Sequence, residues 1–131
     1  MIFRVLDEHP VGNLDEYTRR GGGEALRAAR LVEPRDLVDV IADSGLRGRG
    51  GAGFPTATKW RSVLANASGV RPTSVVINAA EGEPSTFKDR TILPNNVFRV
   101  LEGALIACHV VAARELVVAM KDSFAVELAI I

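Results

Sequence analysis

A chain of 131 residues, 47% hydrophobic and 24% charged, is long enough to bury one ordinary core and too apolar to be disordered. Sixteen basic and sixteen acidic side chains cancel, which argues against a general nucleic-acid or anionic-membrane binder, because such proteins carry a basic excess. The single cysteine, Cys108, rules out an internal disulfide and a CxxC metal site and is compatible with a reducing compartment.

Residues 1–13 read as an irregular or extended arm. The acids of "MIFRVLDEHP" stand where a secretory signal would have its apolar region, so a cytoplasmic location is expected. "NLDEYTRRGGGEALRAARL" predicts a short helical turn, a glycine break at 21–23 and a second helix over about 24–30. "EPRDLVDVIADSG" is a clearer helix: Pro34 suits its first turn, Asp36 favours its positive end, Leu37 and Ile41 share a face, and Gly45 is placed to stop it. Residues 56–67, "TATKWRSVLANA", predict another short helix.

"TSVVINAAEGEP" opens with the apolar run Val75–Val76–Ile77 and then turns polar, as a strand buried on both faces does where it meets a loop. "PNNVFRVLEGALIACHVVAARE" is the strongest helix, with Val97, Leu101, Ala104, Cys108 and Val111 on one expected buried stripe. Arg99, Glu102 and His109 within it argue against membrane insertion. "LVVAM", 116–120, is a second strand, so a parallel βαβ unit with a right-handed crossover is expected. "KDSFAVELAII" starts like a helix capped at Asp122 or Ser123. Two parallel strands cannot cover their own faces and edges, so an incomplete domain is expected. The whole divides into an arm (1–13), helices and a glycine-rich loop (14–67), and a βαβ unit with the start of a further helix (68–131).

Between helix and helix lies "SGLRGRGGAGFPTATKW", residues 44–60, with five of the chain's twelve glycines between Gly45 and Gly53. Glycine is costly to order, so either several positions require positive φ or something flat lies against the main chain. Gly48-x-Gly50-x-x-Gly53 satisfies the dinucleotide pattern GxGxxG, but it follows a helix and no acid stands about 20 residues beyond it. Gly-Lys-Ser/Thr, the phosphate-loop signature, is absent. A loop of tight turns and a ligand cradle both remain open from composition. Arg47, Arg49 and Lys59 around exposed backbone N–H groups, and Phe54 as a stacking face, lean toward a ligand.

"NAAEGEPSTFKDR", 78–90, begins where the first strand ends, the place where open parallel sheets bind ligands. Asn78 can donate and accept, and Glu81 and Glu83 flank Gly82. An ordinary turn followed by a solvated helix approach explains each residue singly; two unusual clusters together strengthen the case for a site.

Together these stretches, with the upstream "GGGEALRAARLVEPRDLVDVIADSGLRGRGG", resemble the flavin-binding, NADH-oxidising subunit of respiratory complex I and its relatives in NAD-linked hydrogenases and formate dehydrogenases. The resemblance runs from about residue 14 to the C-terminus. It implies an α/β fold, a Rossmann-like FMN-binding domain that is here partial. One pocket would hold FMN with NADH stacked above it. By matching position, Gly48, Arg49, Gly50 and Lys59 would contact the flavin, and Gly51, Ala52 and Gly53 would continue that loop as cofactor-binding residues. Asn78 and Glu81 would hold flavin polar groups, Phe54 would stack on the NADH adenine, and Glu83 would lie near the NADH. None of these is a catalytic acid or base; the reaction would be hydride transfer from NADH to FMN, with electrons passed on to iron–sulfur clusters in missing sequence or partner chains. The implied partners are other subunits of an NADH dehydrogenase, hydrogenase or formate dehydrogenase complex, at the inner face of the membrane.

Departures from the family's pattern are Ala80 in place of an Asp, Ser62 in place of an aromatic, and Ser85 and Ala57 in place of glycines. They leave two alternatives: a degenerate scaffold homologue, or a nucleotide-binding module without redox function. The 131-residue chain alone is expected to bind FMN weakly or not at all.

Overall fold

A computed structural model describes residues 6, 9–49 and 51–131 of the chain. The elements run α1 (Leu14–Arg19), α2 (Glu24–Ala29), α3 (Pro34–Asp43), α4 (Thr56–Ala65), β1 (Ser74–Ala79), α5 (Lys88–Val110), β2 (Glu115–Met120) and α6 (Ala125–Leu128). The expected helices, the two strands and the glycine break between α1 and α2 are all present. Part of the 1–13 arm falls outside the described residues.

Local chemistry sets these boundaries. The Asn13 side chain accepts from the Glu16 N–H to start α1. Pro34 opens α3, and Gly45, at φ 68°, closes it by donating to the Ala42 carbonyl. Between α1 and α2, Gly22 lets the chain cross the Tyr17 ring, where a Cβ would come within 2.2 Å of Cδ1. Two helices that begin at unhelpful residues differ from expectation. Helix α6 is preceded by Phe124 rather than capped by Asp122 or Ser123. Helix α5 begins at Lys88, six residues before Pro94, and kinks at Asn96 (φ −137°, ψ 28°), just beyond the proline whose missing N–H interrupts the ladder.

The two strands pair in parallel, with Val75 opposite Leu116 and Asn78 opposite Ala119, and α5 connects them. The expectation that β1 is buried on both faces is not met. Its burial alternates: Val75, Ile77 and Ala79 turn inward, while Ser74, Val76 and Asn78 are exposed, Val76 at 57%. Helices cover only the first of these faces, where Val38, Ala57, Val110 and Val111 form the core and Val75, Trp60, Leu37, Ile41 and Ile106 pack around it. Trp60 packs at the margin of this core. The buried stripe of α5 is also rotated: Val97, Ala104 and Val111 are buried as expected, Leu101 and Cys108 only half so, and Ala107 and Val110 replace them.

The N-terminal helices are tied to α5 by one carboxylate. Glu102 accepts the Tyr17 hydroxyl and the Gly23 and Leu26 N–H groups, the latter two at 2.9 Å each. It therefore caps α2, whose own N-cap residue, Gly23, has no side chain to do so. Burial alone would raise the Glu102 carboxyl; these donors outweigh burial and hold it below the ordinary glutamate range.

Candidate functional site

The glycine segment folds into a closed loop. Gly48 N–H donates to the Phe54 carbonyl (2.9 Å), Thr56 N–H to Leu46 (3.0 Å), and Arg47 pairs with Pro55 in an antiparallel bridge. The Arg47 guanidinium spans the neck to the Gly53 carbonyl at 3.1 Å. Two of its glycines have a backbone reason to be glycine, since Gly51 sits at φ 94° and Gly53 at φ 58°. Gly48 has none: its φ is not positive, and among the described residues an added Cβ would meet only the Phe54 carbonyl oxygen, at an ordinary 3.6 Å. Among the described residues, an added Cβ beside Gly51 or Gly53 would meet nothing within 4 Å. The ribbon thus presents bare main chain to open space.

Its surroundings are cationic. No acid occurs between Ser44 and Trp60, while Arg47, Arg49 and Lys59 do, and Arg49, Lys59, Ala52 and Phe54 are exposed. Helix α4 starts directly behind the loop with Pro55 at its N-cap, which offers no side-chain acceptor. Its positive end favours an anion there. Gly50 lies outside the described residues.

The second cluster leaves the carboxyl end of β1. Asn78 is exposed on the open face, and its Oδ1 accepts from the Ala80 N–H at 3.1 Å to start the bend. Glu83 is exposed. Glu81 turns inward, its side chain 2% exposed, accepting from the Asp89 N–H at 3.3 Å and from Arg90 Nε at 3.2 Å. Burial would raise this carboxyl, but Arg90, the Asp89 and Lys88 backbone and Thr86 together hold it lowered. Its carboxylate is thus occupied by the first turn of α5.

The structure gathers Gly48, Gly51, Ala52, Gly53 and Phe54 into one loop with Lys59 one turn beyond, and Asn78, Glu81 and Glu83 into one bend. Among the described residues no hydrogen bond, ion pair or ring contact joins loop to bend. They are connected through the core, where Ala57 of α4 and Val75 of β1 belong to the same cluster. A cavity of about 600 Å³ lies elsewhere, between α1, α2 and α5, with Tyr17, Arg20, Arg99 and Glu102 among its walls.

Residues 41–131, which include both loop and bend, match the family described as the Nuo51 FMN-binding domain. The chain belongs to that family. It is 36% identical over 124 residues to an NADH-quinone oxidoreductase subunit of Aquifex aeolicus, covering 95% of this chain and 28% of the relative. The corresponding NADH-quinone oxidoreductase subunit of Streptomyces coelicolor is 41% identical over 111 residues, 85% of this chain and 24% of the relative. A crystal structure of an NAD+-reducing [NiFe]-hydrogenase superposes with a TM-score of 0.70 at 35% identity, over 92% of this chain and 21% of that one. The chain thus spans about a quarter of the length of the curated relatives it matches. Among the described residues no helix is long and apolar enough to cross a membrane.

Two family departures have a structural reading. Ala57, where a glycine is usual, is 3% exposed and fills the core. Ser85, also a usual glycine position, is held at φ 64°. The sequence pattern alone reads Arg90 as part of a solvated helix approach and gives Phe124 no role. In the structure Arg90 lies over the rings of Phe87 (4.7 Å) and Phe124 (5.3 Å) while pairing with Glu81. No local pattern signals such a contact, because Phe124 is far along the chain and reaches Arg90 only once β2 pairs with β1.

Proposed function

We propose that this chain forms the glycine-loop part of a Rossmann-like FMN- and NADH-binding site, in a subunit that passes electrons from NADH through FMN to iron–sulfur clusters. Those clusters would be held in further sequence or partner chains of an NADH dehydrogenase, hydrogenase or formate dehydrogenase complex, at the inner face of the membrane. The observation that carries the reading is Gly48, a glycine for which the described residues supply no backbone or steric reason. A planar ring lying on the main chain supplies one. The bare ribbon of Gly51 and Gly53 is the kind of cradle such a ring fits.

FMN, when bound, supplies hydride acceptance and one-electron release, chemistry no side chain of this chain offers. The chain's residues bind and orient. Gly48, Arg49 and Gly51 with Ala52 and Gly53 form the floor, and Arg49 and Lys59 offer cationic donors to flavin polar or phosphate groups. Asn78 fixes a ring edge, Glu81 shapes the bend from which Asn78 reaches, and Glu83 lies toward the NADH. Phe54, 54% exposed, offers a face for the adenine.

Ala80 and Ser62, which stand where the family carries an acid and an aromatic, favour a second reading: a scaffold homologue that no longer turns over. Titrating FMN into the protein, purified with whatever subunits accompany it, and following flavin fluorescence tests the first reading. Quenching that saturates at one flavin per chain, and NADH-driven ferricyanide reduction above a no-protein blank, are expected. Flavin binding without reduction favours the scaffold, and absence of both ends the proposal.

A further inference from the structure

Arg90 joins three segments that leave the carboxyl ends of the two strands. Its Nε reaches Glu81 in the bend after β1 (3.2 Å), and its terminal nitrogen reaches the Thr86 carbonyl (3.4 Å). Its guanidinium carbon lies 4.7 Å from the ring centroid of Phe87, just before α5, and 5.3 Å from that of Phe124, in the turn after β2. Phe124 is 8% exposed and Glu81 5%, so both partners are anchored in the protein while the guanidinium itself stays partly in solvent. Thr86 in turn closes on the Glu83 carbonyl through its hydroxyl at 2.9 Å. The bend from Asn78 to Glu83 is therefore held from its far side, through Glu81 and Thr86.

We infer that Arg90 is a positioning residue that fixes the shape of the 78–83 bend, and with it the placement of Asn78 and Glu83, by gripping Glu81 and stacking on Phe87 and Phe124. The inference rests on the FMN and NADH reading for its functional consequence and on the geometry alone for its structural one. A guanidinium suits the task because it is planar, permanently charged and able to donate in two directions while its face covers a ring. An ammonium keeps the charge but has neither the fork nor the flat face. Lys121, whose ammonium lies 5.7 Å from the Phe124 ring centroid, adds a second cation to that ring without touching the bend. Site geometry is sensitive to such support, since a displacement of about 1 Å can cost on the order of 100-fold in rate.

The test uses the protein purified with its accompanying subunits, as wild type, Arg90→Met, Arg90→Lys, Glu81→Gln and the Arg90→Met/Glu81→Gln double variant. Amide hydrogen exchange without added flavin reads the bend directly, and FMN titration reads its consequence. Arg90→Met is expected to lose protection at the amides of Ala80, Thr86 and Asp89, which the bend's own hydrogen bonds hold, while Val75–Ile77 and Leu116–Val118 keep theirs. FMN affinity should fall by about 10-fold or more, with Arg90→Lys recovering part of the loss. The double variant should bind FMN no more weakly than the worse single variant, because Arg90 acts through Glu81. Wild-type protection of the bend in Arg90→Met, equal loss across the core strands, unchanged FMN affinity, or additive losses in the double variant would each overturn the inference. Failure of the wild type to bind FMN would instead sink the functional reading, and the exchange data would still decide the role of Arg90.

Discussion

Ser85 is held at φ 64°, a conformation that costs a side-chain-bearing residue about 1 kcal/mol or more, and it is exposed, so no buried contact offsets the strain. Ser85→Gly should therefore raise stability by up to about 1 kcal/mol, less the larger entropy glycine loses on folding, as read by denaturant midpoints at constant m. Glu102 makes the opposite kind of prediction. Its folded-state carboxyl is lowered by Tyr17 and the α2 backbone, so in the acid range the unfolded state binds the proton more readily. Stability from this group is present above the ordinary glutamate range and is lost as pH falls through its lower folded value. Denaturant melts from neutral pH down into that range should show the loss, and Glu102→Gln should flatten it. An unchanged pH slope in the variant would contradict the assignment. Both residues are visible in the sequence only as a departure from a family pattern and as a lone acid in an apolar helix. Their partners, a left-handed backbone and a tyrosine 85 residues away, are not.

At the level of elements, the sequence resolves what is punctuated and misses what is not. Helix α3 is bracketed by Pro34 and Gly45, and its bounds agree with expectation to within a residue. Helix α5 has no glycine at its end, so the apolar pattern carries the expected helix past Val110. The chain nonetheless stops there by a left-handed cap: Ala112 adopts φ 51°, its N–H bonds the His109 carbonyl at 3.3 Å, and the Ala113 N–H bonds Cys108 at 2.9 Å. Ala112→Gly should stabilise the protein by roughly 0.5–1 kcal/mol, because glycine adopts that conformation without strain. A melting temperature at or below wild type would show that the cap is not strained. The strands depart in the other direction. A run of three apolar residues does not distinguish two buried faces from one, and the alternation of β1 follows from helices lying on one face alone.

Across the whole molecule, the topology legible in the sequence is the parallel βαβ unit with its preceding helices. The two clusters singled out as a site both sit on its connections, one before α4 and one after β1. Their internal order is only partly legible: the closure of the glycine loop through Arg47 and the occupation of Glu81 by Arg90 depend on contacts between segments that carry no shared motif. Val76, Val117 and Val126 remain exposed at 57%, 37% and 65%, so the sheet's second face and α6 still offer apolar surface.

Everything proposed for the site depends on Gly48 being bare for a ligand's sake and not for the fold's. Gly48→Ala separates the two, because its backbone is not left-handed and among the described residues its Cβ meets only an ordinary contact. Thermal melts and FMN titrations of wild type and variant, in the protein with its accompanying subunits, should show stability unchanged to within about 0.5 kcal/mol and flavin affinity reduced by about 10-fold or more. A variant that melts like wild type and binds FMN equally well would contradict the claim.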